Sequence, residues 1–239
     1  AVFDESVFGQ TDFTVASFIE SDLTKIKNKN MNDSIVTGSV FAYTHLTGLK
    51  MPEELLSVNF NHAQASETDF SNTNVSLGYF GNANLENATF ENADLSGGSE
   101  TLEVQKNMLT DFSYNAIRLA ISPFPLYNLI GVQDAGDKFI VDVIAYNNFH
   151  DINLKNANLK NTKLFHADMN SADLSNSNLE NADLRDVYFF NANLSGANLS
   201  GANLSGANLS GANLSGAIIN ENTNLESTVL DCTGHSICN

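Results

Sequence analysis

Residues Ala192 to Gly216 read Ala-Asn-Leu-Ser-Gly five times without an error. A period of five residues matches neither the 3.6 residues of an α-helical turn nor the two-residue alternation of a β-strand. It indicates a square coil in which each pentapeptide forms one side and the chain turns by about a right angle between sides. The central Leu and the Ala two positions before it would then point inward, while the other three residues face water.

The same spacing of large apolar residues extends over most of the chain, in blocks that begin at Phe3, Val36, Phe60 and Leu154. Four sides make a turn of about twenty residues, and stacked turns should pair at the strand spacing of about 4.8 Å. Residues twenty apart should therefore form a column inside the coil. Two predicted core columns are Leu154, Leu174, Leu194 and Leu214, and Leu159, Leu179 and Leu199.

The Ala-(Asp/Asn)-(Leu/Phe)-x-x pattern, as at 93–95 and 182–184, resembles the pentapeptide-repeat family. The resemblance covers most of the chain outside about 97–138. It implies an all-β fold, a right-handed quadrilateral β-helix that forms a solenoid. A disordered low-complexity tract would not keep an apolar residue in register over roughly eighty residues.

The pattern divides the chain into four segments. They are coils over 1–96 with a loop near 24–35, a non-repeat insertion over 97–138, regular coils over 139–230, and a C-terminal cysteine loop over 231–239. The second set of coils is taken to begin at Phe139 because Phe139, Ile144 and Phe149 keep the five-residue spacing. Long insertions in solenoids usually carry function or cover apolar surface.

The insertion itself is apolar. Residues 103–112 are predicted to form a short amphipathic helix, and 122–127, which include two prolines, to be irregular or extended. Its apolar residues include the candidate partner patch Phe124, Leu126, Tyr127, Leu129 and Ile130. The sequence leaves two interpretations of this patch open, a docking site for another protein and a flap that packs over one face of the coil.

Charge excludes some classes of function. The chain has 28 acidic and 11 basic side chains, a net charge of −17, so it is not a strongly basic nucleic-acid binder and direct nucleic-acid binding is not expected. No apolar run reaches the roughly 18 residues of a membrane-spanning helix. There is no basic residue between Lys50 and Lys106, and no charged residue from Val187 to Asn220. The acidic stretch is interpreted as a solvated surface that keeps the coil soluble.

The sequence offers no catalytic constellation. A filled square coil lacks the concave pocket in which polar groups converge, and the five histidines are scattered without metal-ligand spacing. No phosphate loop or nucleophile motif occurs. We therefore expect a protein that is not an enzyme and that uses no metal and no cofactor.

The two cysteines bear on localisation. The chain begins at Ala1 rather than Met, which is expected of a processed or exported protein. In an exported protein, extracellular or periplasmic, Cys232 and Cys238 would form a disulfide, whereas in a cytosolic protein they would be ordinary thiols. A zinc site would need two further ligands nearby, and His235 alone does not supply them.

The favoured function is that of a structural or interaction solenoid. Neither end carries a recognisable cap, so the coils are predicted to assemble head to tail with further copies of the chain, into filaments, or to present flat faces to a protein partner. The terminal-coil residues that would meet are Phe3, Phe8 and Phe13 at one end and Ile219, Leu225 and Leu230 at the other.

The family resemblance also implies an alternative. Members that protect DNA topoisomerases look like acidic, rod-shaped mimics of duplex DNA, so the partner could be the DNA-binding groove of a type II topoisomerase such as gyrase. This chain differs from those members in two respects. Its coils after Val187 carry no charge to imitate phosphates, and it lacks their C-terminal dimerisation helix.

Overall fold

Single-residue parallel bridges recur every five residues and join positions about twenty residues apart, as between Asn158, Asn178 and Asn198. The computed structural model describes residues 3–75, 78–96, 99–106, 127–145 and 147–238. These residues form two compact units, a coil made of Ala1–Ser96 with Asn147–Asn239, and a second unit, Gly97–Tyr146. Four bridges in each turn give the coil four sides, as the five-residue period predicts.

Each side is short because a turn follows every bridge. The second residue of most turns has a positive φ, which Asn and Gly adopt at the lowest cost, as at Asn191 (57°) and Gly196 (68°). Backbone hydrogen bonds run from turn to turn, for example from Leu194 N to Asn213 O at 2.8 Å. The side chains of the two Leu columns at 154–214 and 159–199 are at most 1% exposed.

We call one of the four faces of the coil the tyrosine face. Its bridged column consists of Ser17, Val40, Asn59, Tyr79, Asn148, Asp168, Tyr188, Asn208 and Val229. The opposite face carries the column Asn30, Lys50, Asp69, Thr89, Asn158, Asn178, Asn198 and Ile218. Behind the tyrosine face, five buried Phe rings stack with centroids 4.8–5.1 Å apart, namely Phe18, Phe41, Phe60, Phe80 and Phe149.

The length of a turn is not constant along the coil. Asp22 pairs with His45, which lies beyond the residue twenty positions on, because the 3₁₀-helix η1 (Lys27–Lys29) lengthens this turn. This helix lies within the predicted loop at 24–35. The following turn is shorter, since His45 pairs with Gln64, one position before the residue twenty on. The coil remains filled through both changes, since Met31 and Leu55 are fully buried.

The largest step joins Tyr79 to Asn148, and the whole second unit lies between these two residues in the chain. Asn147 closes the coil at this point. Its buried side-chain Nδ2 donates to the carbonyl oxygens of Val75 (2.9 Å) and Leu95 (2.8 Å), and its Oδ1 accepts from the backbone N–H of Gly78 (2.8 Å). Asn147 stands where most repeats have a small Ala. Its amide makes hydrogen bonds to backbone groups that would pair with a neighbouring turn in an uninterrupted coil.

The second unit contains a three-stranded antiparallel sheet with the order β1-β3-β2. Its strands are β1 (Ser99–Gln105), β2 (Tyr127–Asp134) and β3 (Lys138–Ala145). A β-bulge interrupts the pairing of β2 with β3 between Leu129 and Gly131. Lys106 Nζ lies 2.7 Å from Asp134 Oδ1 and 4.7 Å from the centroid of the Phe139 ring.

Two predictions were wrong over the residues of this unit that the structure describes. Residues 103–105 of the predicted helix belong to strand β1, because Thr-Leu-Glu-Val-Gln alternates polar and apolar residues with the two-residue period of a strand. The rest of that prediction, 107–112, and residues 122–126 of the predicted irregular segment lie outside the described residues. Phe139 and Ile144 belong to β3 rather than to the coil, since the β-branched run around them favours an ordinary strand. Their five-residue spacing is fortuitous.

No helix in the described ranges has the length and apolarity to cross a bilayer.

Candidate interaction face

Acidic side chains are distributed unevenly around the first coils. Of the thirteen acidic residues in 1–96, only Glu20 lies on the tyrosine face or the corners beside it. The other twelve lie on the three remaining faces and their corners, and they are Asp4, Glu5, Asp12, Asp22, Asp33, Glu53, Glu54, Glu67, Asp69, Glu86, Glu91 and Asp94. Within residues 1–96, the bridged column of the tyrosine face is therefore uncharged, whereas the other faces are acidic.

Exposed apolar side chains show the opposite distribution. In the described part of the coil, ten large hydrophobic side chains are exposed, and seven of them lie on the tyrosine face or its two corners. These seven are Val15, Ile19, Tyr43, Leu56, Tyr188, Phe190 and Val229. Clustering of apolar residues on one face, with charge on the others, is typical of a docking surface rather than of scattered surface hydrophobes.

Two exposed aromatic contacts lie at the corners of this face. The rings of Tyr43 and His62 stack with centroids 4.6 Å apart. Further along the coil, the guanidinium of Arg185 lies 5.5 Å from the centroid of Phe165 and donates two hydrogen bonds to Asp183, at 2.6 and 2.7 Å. These hydrogen bonds, with the charge of Asp183, raise the pKa of Arg185.

Amide side chains form ladders along the neighbouring face. Asn153 Nδ2 donates to Asn84 Oδ1 at 2.9 Å, and Asn213 Nδ2 donates to Asn193 Oδ1 at 3.3 Å. Most of these Asn residues also accept a hydrogen bond from the backbone N–H two residues later, as Asn213 does from Ser215 (3.0 Å). The ladders stabilise the coil and leave a flat surface of amides, which the carboxylate of Asp173 interrupts where Asn193 Nδ2 donates to it at 3.1 Å.

The sequence-predicted site residues are placed as follows. Cys232 and Cys238 form a disulfide with Cα atoms 5.0 Å apart, Cys232 being buried and Cys238 packed against the core. Phe8 is buried, whereas Phe3 and Phe13 in the first coil are only partly buried. The same partial burial holds for Ile219, Leu225 and Leu230 in the last coil.

The predicted partner patch is only partly described by the structure. Phe124 and Leu126 lie outside the described residues, and Tyr127, Leu129 and Ile130 belong to strand β2. In the described ranges, no group of three or more His, Cys, Asp or Glu side chains is placed to hold a metal ion.

Sequence reasoning missed the tyrosine face because its members are not evenly spaced in the chain.

The family model for pentapeptide repeats matches eight copies in residues 78–98, 148–181 and 182–220. These three segments are pentapeptide repeats. Proteins of this family are right-handed quadrilateral β-helices, in agreement with the four-sided coil described above, and they are generally non-enzymatic structural or interaction proteins.

Solved pentapeptide-repeat proteins resemble this one. HetL from Nostoc sp. PCC 7120, described as involved in heterocyst differentiation regulation, is 20% identical, with 96% of this chain and 86% of HetL covered and a TM-score of 0.40. The Nostoc protein alr5209 is 40% identical over 34% of this chain and 62% of its own, with a TM-score of 0.29. QnrB1, a plasmid-mediated fluoroquinolone resistance protein, is 12% identical over 92% and 89%, with a TM-score of 0.33. A comparison with curated proteins gives no match.

Proposed function

We propose that this protein is a non-enzymatic scaffold that binds a protein partner through the first part of its tyrosine face. One observation carries the proposal. Within residues 1–96, the exposed apolar side chains Val15, Ile19, Tyr43 and Leu56 flank a column without charge, while twelve of thirteen acidic residues lie elsewhere.

Physical reasons favour this face as the point of contact. Covering a charged face would require each carboxylate to be desolvated or paired, whereas covering Val15 or Leu56 is favourable by about 25 cal/mol for each Å² removed from water. The acidic faces remain in solvent and keep the coil soluble. Backbone groups of the face are already bonded between turns, so a partner would bind through side chains.

Site-specific crosslinking tests the proposal. A photoreactive residue placed at Leu56 should crosslink to a defined protein in the native source, and the same residue at Ile218, which is also exposed but on the opposite face, should not. Leu56→Asp should then abolish the adduct formed from a reporter at Tyr43, while Ile218→Asp leaves it unchanged. Equal crosslinking from both faces would contradict the proposal.

End-to-end self-assembly is a second candidate. It is supported by the partial burial of Phe3 and Phe13 in the first described coil and of Leu225 and Leu230 in the last, since a matching coil would cover them. Phe8→Lys should abolish assembly while most of the coil remains folded. A monodisperse monomer in light scattering at high protein concentration would exclude it.

Mimicry of DNA toward a type II topoisomerase is the alternative suggested by the acidic faces of residues 1–96. It requires the purified protein to inhibit or protect gyrase in a supercoiling assay, and substitution of Glu67 and Glu86 by Gln to weaken that effect.

We also propose that the protein is exported, since the disulfide would be stable in an oxidising compartment. Free thiols at Cys232 and Cys238 in protein from its native source would oppose export.

A further inference from the structure

A row of three outward side chains crosses the tyrosine face in the second half of the coil. Arg185 stands at one corner, Tyr188 in the middle of the side and Phe190 at the other corner, and we call them the ring row. Tyr188 is 41% and Phe190 49% exposed, while Phe189 between them is fully buried in the core. The alternation holds both rings outward, because consecutive side chains of an extended segment point to opposite sides.

Polar rows lie on both sides of the ring row, one turn away in each direction. The bridges Asp168–Tyr188–Asn208 place a carboxylate on one side and an amide on the other, at the inter-strand spacing of about 4.8 Å. Asn170 Oδ1 accepts a hydrogen bond from the backbone N–H of Phe190 at 3.0 Å, which holds that amide beside the ring. An aromatic strip is thus bordered by hydrogen-bonding groups.

We propose that the ring row binds a neutral polysaccharide chain. A pyranose unit has an apolar C–H face, which an exposed aromatic ring can cover, and a rim of hydroxyls that both donate and accept hydrogen bonds. Tyr188 and Phe190 would cover the apolar faces, and Asp168, Asn170 and Asn208 would bond to the hydroxyls. The flatness of the side, about three extended residues or roughly 10 Å wide, suits an extended chain.

Other occupants fit less well. A peptide could not extend the sheet here, because the backbone of the row is already paired, with Tyr188 N donating to Ala167 O (3.1 Å) and Asn208 N to Val187 O (2.9 Å). A polyanion would meet a chain of net charge −17, in which Arg185 is already paired with Asp183. A polycation would meet only one carboxylate, that of Asp168, in the two bordering rows, and the positive charge of Arg185 lies at the corner of the ring row. A neutral ligand matches this charge distribution.

The test uses the full chain and two soluble probes, cellohexaose and chitohexaose, followed by NMR titration and isothermal calorimetry. We expect the unmodified protein to bind at least one of them. Tyr188→Ala and Phe190→Ala should each weaken that binding at least tenfold, and Tyr188→Phe should retain most of it. Ile218→Ala, on the opposite face, is the matched control and should leave the affinity unchanged.

Three outcomes would overturn the proposal. They are no binding of either hexasaccharide at millimolar concentration, equal binding by the alanine variants and the unmodified protein, and an equal loss of binding in the control variant Ile218→Ala and in the ring variants. Circular dichroism and the urea midpoint of each variant show whether the fold is retained, and outward substitutions should leave both unchanged. The result is independent of crosslinking at Leu56, because the two sets of side chains lie at different turns.

Discussion

The rings of Phe80 and Phe149 stack with their centroids 5.1 Å apart and their planes 21° from parallel, although the whole second unit lies between them in the chain. Both are fully buried, and Phe80 N donates a hydrogen bond to Asn148 O at 2.8 Å. The interior column behind the tyrosine face therefore continues through the largest step of the coil. Stacking and backbone pairing maintain the register here, where the five-residue count fails.

Asn147 is the residue on which this step most depends. Asn147→Ala removes an amide that satisfies the buried carbonyls of Val75 and Leu95 and the N–H of Gly78, so unfolding free energy should fall by about 2–4 kcal/mol. Urea unfolding measures the loss. Asn148→Ala, in the next and partly exposed position, is the control and should cost under about 1 kcal/mol. Equal losses would mean that the amide does not close the coil.

An ion pair also crosses the step. Lys163 Nζ lies 2.8 Å from Asp94 Oδ2. Burial alone would raise the pKa of Asp94, but hydrogen bonds from Lys163 and Ser96 and the Lys163 charge hold it below its usual value. A lowered carboxyl pKa in the folded protein adds stability above the unfolded pKa, near 4, and that stability is lost as the pH falls through the folded value.

Lys163→Met should accordingly reduce the dependence of stability on pH below about pH 4. Both side chains are more than one third exposed, so the loss at pH 7 should be under about 1 kcal/mol. Thermal melting between pH 2 and pH 7 measures both effects. An unchanged acid limb in the variant would show that the pair does not contribute.

Inward and outward positions of the repeat should differ sharply in tolerance to charge. Leu194→Asp and Leu204→Asp place a carboxylate in a column with no solvent access and should cost several kcal/mol. Ser200→Asp lies on the surface at a turn and should cost under about 0.5 kcal/mol. Equal decreases in melting temperature would contradict the inward frame.

Substitution of Gly234 and of Gly216 distinguishes two costs of adding a Cβ atom, the strain of a left-handed backbone and a steric clash with a neighbouring residue. Both have positive φ, 85° and 71°. A Cβ at Gly234 would lie 2.7 Å from Ser215 N and 2.8 Å from Ser215 Cα and would also meet Ser215 Oγ, whereas a Cβ at Gly216 meets nothing within 4 Å. Gly216→Ala should cost about 1–2 kcal/mol for the left-handed backbone, and Gly234→Ala clearly more. Chemical denaturation compares them, and similar costs would mean that the cysteine loop moves away freely.

The disulfide closes a six-residue separation and should stabilise the last coil by about 2–3 kcal/mol. The double variant Cys232→Ser, Cys238→Ser should show this loss in unfolding under oxidising conditions and no further loss on adding reductant. Mass spectrometry without reductant should find the unmodified protein two hydrogens lighter than its dithiol form. Identical stability of oxidised and reduced protein would contradict a structural role.

The amino-acid sequence alone determined the repeat geometry. Five perfect copies from Ala192 to Gly216 are a local and error-free signal, and the inward Leu and Ala follow from it by packing within a single turn. The same five-residue spacing led to a wrong assignment of Phe139 and Ile144 to the coil, because a strand rich in β-branched residues happens to carry apolar residues five apart. Sequence spacing cannot distinguish a side of the coil from an ordinary strand when only two repeats are present.

Only the tertiary structure decided which outward residues share a face. Val15 and Leu56 lie at the same corner although they are far apart in the chain, because one turn between them is lengthened by η1 and the next is shortened. Tyr79 and Tyr188 share a column across the step that Asn147 closes. The inward position of a residue depends on its own pentapeptide, but its face depends on the length of every turn before it. Those lengths follow from hydrogen bonds and ring stacking between distant segments, which local sequence does not encode.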